Sequence, residues 1–178
     1  MHKDLEKLLF DEVALAERIR ELGQEITKDF AGKNPILIAV LKGSFMFMAD
    51  LVRAIDMPCQ LEFLGVSSYG DQTTSTGAVK ITRDLEVDIE GRDVIIVEDI
   101  LDSGLTLSYL KGYLQGRKPA SIAICTLLDK PERRKAEVFP DYTGFQIPDA
   151  FVVGYGLDFA EKYRNLPYIG ILRPEVYQ

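Results

Sequence analysis

Residues 94–107 read Val-Ile-Ile-Val-Glu-Asp-Ile-Leu-Asp-Ser-Gly-Leu-Thr-Leu. Four consecutive β-branched residues suit a strand covered on both faces, and such strands belong to parallel sheets. The run ends in two adjacent carboxylates, Glu98 and Asp99. A short turn follows, with Ile100 and Leu101, a third carboxylate at Asp102, then Ser103 and Gly104. A helix is expected over residues 105–114, opening at Leu105 and Thr106. A chain with this segment must bring a strand end, a polar turn and a helix N-terminus to one sheet edge. Open parallel sheets bind their ligands at that edge.

The chemistry of the segment is specific. The free N–H groups of a helix N-terminus suit a phosphate. Gly104 lets the backbone come close, and Ser103 and Thr106 add hydroxyl donors. Two carboxylates just upstream would repel a bare anion, unless they face sugar hydroxyls or a bound cation. The segment therefore asks for a terminal phosphate, a diol and a magnesium-bound polyanion together. A phosphorylated ribose pyrophosphate has all three. Taken singly, Glu98 and Asp99 read equally as a solvated strand end, and Asp102 and Ser103 as a helix cap. The whole string is far more specific, and no Walker A or G-x-G-x-x-G loop competes with it.

The rest of the chain alternates strands and helices. Leu15, Ile19, Leu22, Ile26 and Phe30 mark one face of a helix, with Asp11 as its N-cap. Residues 36–41 read as a buried strand, 45–55 as a helix and 61–67 as a strand. Residues 67–78 are polar and aperiodic, as in a lid, a binding loop or a disordered segment. Strands are expected over 79–85 and 122–128, with short ones at 145–147, 151–153 and 169–172. The pattern predicts an α/β fold of one domain, residues 1–178, with a central mainly parallel sheet flanked by helices. A small hood is expected from about residues 145–178 plus part of the N-terminal segment.

Composition narrows the function classes. No apolar run is long enough to span a bilayer, and residues 1–10 lack the apolar core of a signal peptide, so a cytoplasmic protein is expected. The net charge of -7 argues against a nucleic-acid binder that relies on bulk charge. Cys59 and Cys125 form no C-x-x-C pair and His2 is the only histidine. Two buried free thiols are expected rather than zinc, and any metal must take oxygen ligands, which favours Mg2+.

The string from Glu98 to Thr106 resembles the phosphoribosyl-pyrophosphate signature of type I phosphoribosyltransferases. Leu41-Lys42-Gly43-Ser44, Ser67-Ser68-Tyr69-Gly70, Leu127-Leu128-Asp129-Lys130-Pro131, Phe151-Val152-Val153-Gly154-Tyr155-Gly156-Leu157-Asp158 and Tyr163-Arg164-Asn165-Leu166-Pro167 extend the likeness over nearly the whole chain. They narrow it to the hypoxanthine–guanine phosphoribosyltransferases, particularly their bacterial branch.

The resemblance implies roles. Glu98 and Asp99 face the ribose hydroxyls directly or through magnesium, and Asp158 holds a second magnesium, so all three count as metal ligands. Asp102 is the proton-transfer residue near purine N7. The backbone and hydroxyls of Asp102–Thr106 cradle the 5′-phosphate, and Ile100 and Leu101 count with them among the nucleotide-binding positions. Leu105 departs from members that carry lysine there, which removes one cation beside the phosphate. Lys42 and Gly43 meet the pyrophosphate, often through a cis peptide before the lysine, and Arg164 is a further pyrophosphate contact. Lys130 contacts purine O6, where a donor-only ammonium favours a 6-oxo over a 6-amino base. Phe151 stacks on the purine, Val152 reads its edge through the backbone, and Asp158 lies beside it. Ser68 and Tyr69 belong to a lid. The implied reaction joins phosphoribosyl pyrophosphate to hypoxanthine or guanine, giving IMP or GMP, in a homodimer or homotetramer.

Two other readings compete. An enzyme of the same fold could act on xanthine, adenine or a pyrimidine; Lys130 and Phe151 argue against adenine and orotate. A nucleotide-sensing regulator that binds RNA or DNA would need a basic surface. The stretch from Lys130 to Lys135 is short and interrupted by Glu132, and reads as a solvated turn that also positions Lys130.

Overall fold

The computed structural model describes residues 1–68 and 79–178. Its centre is a six-stranded sheet built from β2 (Ile36–Leu41), β3 (Gln60–Ser68), β4 (Val79–Arg83), β5 (Asp93–Leu101), β6 (Ser121–Asp129) and β7 (Tyr142–Gln146). The spatial order is β4-β3-β2-β5-β6-β7, with β4 antiparallel to β3 and every other pairing parallel. The expected mainly parallel sheet flanked by helices is what is found.

The apolar runs explain why β2 and β5 lie at the centre. Successive side chains of a strand point to opposite faces, so a strand covered on both faces must be apolar throughout. Leu37, Ala39, Ile95 and Val97 face one core layer, while Ile36, Ile38, Val94 and Ile96 face the other. The first layer is covered by α1 (Glu12–Asp29) and α2 (Phe45–Ala54), which present Leu15, Ile19, Leu22, Ile26, Phe47 and Leu51. The second is covered by α3 (Leu105–Gln115), through Leu107, Leu110 and Leu114. Asp11 caps α1 as the sequence predicts, its Oδ1 accepting from the Ala14 N–H at 2.8 Å.

A second, three-stranded antiparallel sheet has the order β1-β9-β8, from β1 (Leu5–Phe10), β8 (Val152–Val153) and β9 (Ile169–Leu172). The N-terminal segment thus pairs with strands from the C-terminal part of the chain. β1 itself is not legible beforehand. Only Leu5 is fully buried, and Glu6 and Lys7 face solvent, so the segment lacks a clean two-residue alternation.

Two further expectations are corrected. The strand does not stop at Glu98 and Asp99: Glu98, Ile100 and Leu101 stay in register with Thr126, Leu128 and Asp129, which carries β5 on to Leu101. Cys125 is buried, but Cys59 is only partly so, because it precedes β3 near the sheet's opposite end. Among the described residues, no helix is long and apolar enough to cross a membrane.

Strand order places the ligand edge. The connection from β2 through α2 leads to β3 on one side, while β5 through α3 leads to β6 on the other. The strand order reverses between β2 and β5, and open α/β sheets bind their ligands beyond the carboxyl ends of the strands at such a point.

Candidate active site

The turn after β5 is strapped from outside. The Lys130 N–H donates to the Leu101 carbonyl at 2.9 Å, and the N–H groups of Lys135 and Ala136 donate to the Ser103 carbonyl at 2.8 and 3.2 Å. Gly104 then takes φ +81°, and a Cβ there would meet Val138 Cγ1 at 2.6 Å. Glycine satisfies both the left-handed backbone and the close approach. Gly104 is also the N-cap of α3 and has no side chain to offer, so the helix N-terminus is not capped in the usual way. Its closest side-chain acceptor is Ser103 Oγ, 3.4 Å from the Leu105 N–H. A recess of about 100 Å³ lies over this turn, lined by Glu98, Ile100, Leu101, Asp102, Ser103, Gly104, Thr106 and Leu107. A recess of that size with unspent N–H donors can take a phosphate.

Glu98 and Asp99 are held in place by the backbone. Asp99 Oδ1 accepts from the Ile100 N–H at 2.7 Å, and Glu98 Oε1 accepts from the Asp99 N–H at 3.2 Å. Burial, and then the charge of Asp99, push the Glu98 carboxyl well above the usual carboxylate range. Burial raises Asp99 as well, against the pull of its hydrogen bonds and of Arg164. Two oxygen-bearing groups that resist carrying charge together are relieved by a hard cation. Magnesium needs only one or two carboxylates when a substrate phosphate supplies further oxygens, so this pair fits it. Asp158 stands apart, its Oδ1 3.2 Å from Arg164 Nη2. Among the described residues, no three acidic, histidine or cysteine side chains gather into one metal cage.

The loop after β2 approaches the same carboxylates. The Leu41–Lys42 peptide is cis. A Cβ on Gly43 would collide with the Asp99 carboxylate, and one on Gly156 would collide with the Gly43 carbonyl. Glycines at 43 and 156 therefore let three chain segments meet with no side chain between them. Buried Ser44 donates from Oγ to the Val40 carbonyl at 2.5 Å, which closes the loop.

A cavity of about 500 Å³ opens beside the turn, lined by Ile100, Asp102, Lys130, Arg133, Asp149, Ala150, Phe151, Val152, Leu157, Asp158 and Tyr177. Its lining mixes the apolar Ile100, Phe151, Val152 and Leu157 with the charged Asp102, Lys130, Arg133, Asp149 and Asp158, a combination that suits a flat heterocycle bearing polar edges. Asp102 Oδ1 accepts from Arg133 Nε at 3.1 Å, and Arg133 Nη1 lies 3.6 Å from Asp149. Lys130 is buried, with its Nζ 4.0 Å from Asp149 Oδ1. Phe151 is partly exposed to the cavity and stacks on Tyr177 with ring centroids 4.8 Å apart. Val152 is in β8, its backbone register set by Ile171.

The structure thus sets Glu98, Asp99, Ile100 and Leu101 at the end of β5, Asp102, Ser103 and Gly104 in the turn after it, and Leu105 and Thr106 at the start of α3, with the loop of Lys42 and Gly43 against Asp99. It sets Lys130, Phe151, Val152 and Asp158 around the adjoining cavity. Arg164 donates to the Gly156 carbonyl at 2.7 Å, beside the Gly43 loop. Tyr69 and most of the expected lid, residues 69–78, lie outside the described residues, and Ser68 ends β3 at their border.

Sequence reasoning missed Arg134. The stretch from Lys130 to Lys135 is not a purely solvated turn: Arg134 is partly buried and pairs with buried Asp129, and it also donates to the Asp102 and Val138 carbonyls. Only the buried aspartate at the end of β6 could have signalled this, since a buried carboxylate requires a partner. Arg133, Asp149 and Tyr177 on the cavity wall carried no signal, because they come from three separate segments. A separate groove of about 610 Å³ runs between α1, α2 and residues 165–167 and shares none of these residues.

Comparison with known proteins agrees with this geometry. A sequence model of the phosphoribosyl transferase domain matches residues 7–160. A curated hypoxanthine-guanine phosphoribosyltransferase of Bacillus subtilis is 54% identical over 178 residues, covering 100% of this chain and 99% of that protein. The bifunctional protein TilS/HprT of Listeria monocytogenes is 54% identical over 177 residues, and the chain spans only 27% of its length. A crystal structure of a hypoxanthine phosphoribosyltransferase from Staphylococcus aureus superposes with a TM-score of 0.97 at 52% identity, covering 100% of this chain and 97% of that one. By the match over residues 7–160 and by full-length identity to the Bacillus protein, this chain belongs to the phosphoribosyltransferase family, in its hypoxanthine–guanine branch.

Proposed function

We propose that the protein transfers a 5-phosphoribosyl group from phosphoribosyl pyrophosphate to N9 of hypoxanthine or guanine, releasing pyrophosphate and IMP or GMP. The observation that carries this reading is the meeting of two recesses at Asp102. One is a phosphate-sized recess with free helix N–H groups, and the other a heterocycle-sized cavity with buried Lys130 in its wall.

In this mechanism the N–H groups of the 103–106 turn hold the 5′-phosphate. Lys42 and Arg164 hold the diphosphate oxygens. Lys130 donates to O6, which selects a 6-oxopurine, and Phe151 offers a ring face to the base. The C1′–O bond breaks with its electron pair leaving on pyrophosphate, while N9 supplies the pair for the new bond to C1′. Asp102 accepts the N7 proton and keeps the purine neutral as it gives up density. Mg2+, held by Glu98 and Asp99 together with substrate oxygens, and by Asp158 at a second position, would supply charge neutralisation of the departing polyanion. Arg133 engages Asp102 through Oδ1 alone, so Oδ2 can receive the proton, and Asp149, 3.6 Å from Arg133, gives that cation a second carboxylate partner.

A cytoplasmic purine-salvage enzyme assembled as a homodimer or homotetramer, with no nucleic-acid partner, completes the reading. Sedimentation at working concentration tests the assembly. The deciding assay offers hypoxanthine, guanine, xanthine and adenine separately, each with phosphoribosyl pyrophosphate and magnesium. Turnover of the first two and rejection of adenine is the expected result. Preferential use of adenine, or no turnover with any base, would overturn the assignment.

A further inference from the structure

The two cations assigned above to the diphosphate share a partner. Lys42 Nζ donates to Glu161 Oε2 at 3.4 Å, and Arg164 Nη2 donates to Glu161 Oε1 at 3.4 Å. One carboxylate thus gives an oxygen to each of two cations that arrive on different loops. The edge of a diphosphate would engage them in the same way. Core packing does not require a carboxylate here, since the Glu161 side chain is 66% exposed.

Its place is set by an unusual backbone. Ala160, Glu161 and Tyr163 all have left-handed φ values, +51°, +62° and +79°, which side chains other than glycine disfavour. The Glu161 N–H is tied to Asp158 Oδ2 at 2.9 Å, and the Tyr163 hydroxyl to Asp4 at 2.8 Å. Strain of this kind persists where surrounding contacts enforce it, and it gathers at ligand clamps. Arg164 is not fully satisfied either: its Nε–H is buried with no acceptor among the described residues, which is a costly position.

We infer that Glu161 is an internal competitor for the diphosphate, its carboxylate engaging Lys42 and Arg164 so that a diphosphate binds by displacing it. The inference rests on the assignment of those two cations to the diphosphate. Its consequence is a tuned affinity. Exposed ion pairs are weak and screened by salt, so Glu161 yields readily to a polyanion. It also returns to the cations afterwards, which speeds release of pyrophosphate.

The test is calorimetric titration of inorganic pyrophosphate, with magnesium present, into the full chain and into Glu161→Gln, Lys42→Met and the double variant. Glutamine keeps the shape and removes only the charge. Glu161→Gln is expected to bind pyrophosphate about threefold to tenfold more tightly, the scale of two exposed ion pairs. Its KM for phosphoribosyl pyrophosphate should fall by a similar factor, while kcat does not rise. In the Lys42→Met background the gain should shrink by at least half, since one of the two displaced pairs is already gone. An unchanged or weakened affinity in Glu161→Gln overturns the inference. So does a gain that persists in full without Lys42, which would mean a general field effect rather than occupancy. If the unaltered protein takes up no pyrophosphate, the assignment of Lys42 and Arg164 fails first, and the inference with it.

Discussion

The Asp99 carboxylate fills the space where residue 43 would carry a side chain. Gly43 is thus the reason the loop after β2 can lie against the acidic end of β5, and the contact joins residues far apart in the sequence. Gly43→Ala must push the loop or the carboxylate aside. Overpacking of this kind costs roughly 1–3 kcal/mol, which a protein of this size can bear while still folding. The expected result is a folded protein with a modestly lowered melting temperature and a kcat/KM for phosphoribosyl pyrophosphate reduced at least about tenfold, as small misplacements at a reacting centre imply. Steady-state kinetics beside a thermal melt checks it, and unimpaired kinetics would show that the loop can relax.

Asp102 sits at the border of both recesses and is partly exposed, so its replacement should leave the fold alone. Asp102→Asn keeps the shape and removes the proton acceptor. The expected loss is about 10²–10⁴-fold in kcat, with little change in KM for the pyrophosphate donor. Single-turnover measurement of the chemical step provides the check, and near-normal turnover would remove Asp102 from the mechanism.

The buried acidic pair predicts a pH dependence of stability. Burial and the neighbouring Asp99 raise the folded-state pKa of Glu98 above its unfolded value. The folded protein therefore binds more protons than the unfolded chain between those two values, and stability falls as pH rises through that window. Below the usual carboxylate range the penalty vanishes, and above the raised folded value it is complete. Glu98→Gln should melt higher than the unaltered protein at neutral pH, and the gap should close as the pH is lowered to the usual carboxylate range. Melting curves of both proteins without magnesium over pH 4–8 (about the span in which native carboxylates of this kind titrate) test the sign. A gap that widens toward acid contradicts it.

Arg134 and Asp129 form a largely buried pair, with side chains 13% and 6% exposed. Removing one partner leaves an uncompensated charge, so Arg134→Met should destabilise the protein by about 3–5 kcal/mol. Pairing it with Asp129→Leu should restore much of that stability, because an apolar pair avoids the desolvation cost. Activity should not return with it. The bond from Arg134 Nε to the Asp102 carbonyl, 3.3 Å long, is lost in both variants. Denaturant unfolding and kinetics on the same preparations separate the two effects.

Much of this was legible before any coordinates. The β-branched run at residues 94–97 required a strand covered on both faces, and the spacing of Leu15, Ile19, Leu22 and Ile26 required a helix lying on the sheet. Both follow from local periodicity, which a chain carries in its order of residues. The acidic turn was readable for the same reason, since Glu98 through Thr106 are contiguous. Lys42, Lys130, Phe151 and Arg164 became site candidates only through family resemblance, as each lies in a different segment.

What the order of residues could not state is what meets where the strand order reverses, between β2 and β5. Glu161 reaching Lys42, Gly43 yielding to Asp99 and Arg134 neutralising Asp129 are contacts between loops whose directions depend on the packed strands beneath them. Local propensity decides where a strand or helix forms, because its hydrogen bonds and side-chain period are short-range. Loop geometry is decided by burial and charge pairing among distant segments, and those exist only once the chain has folded.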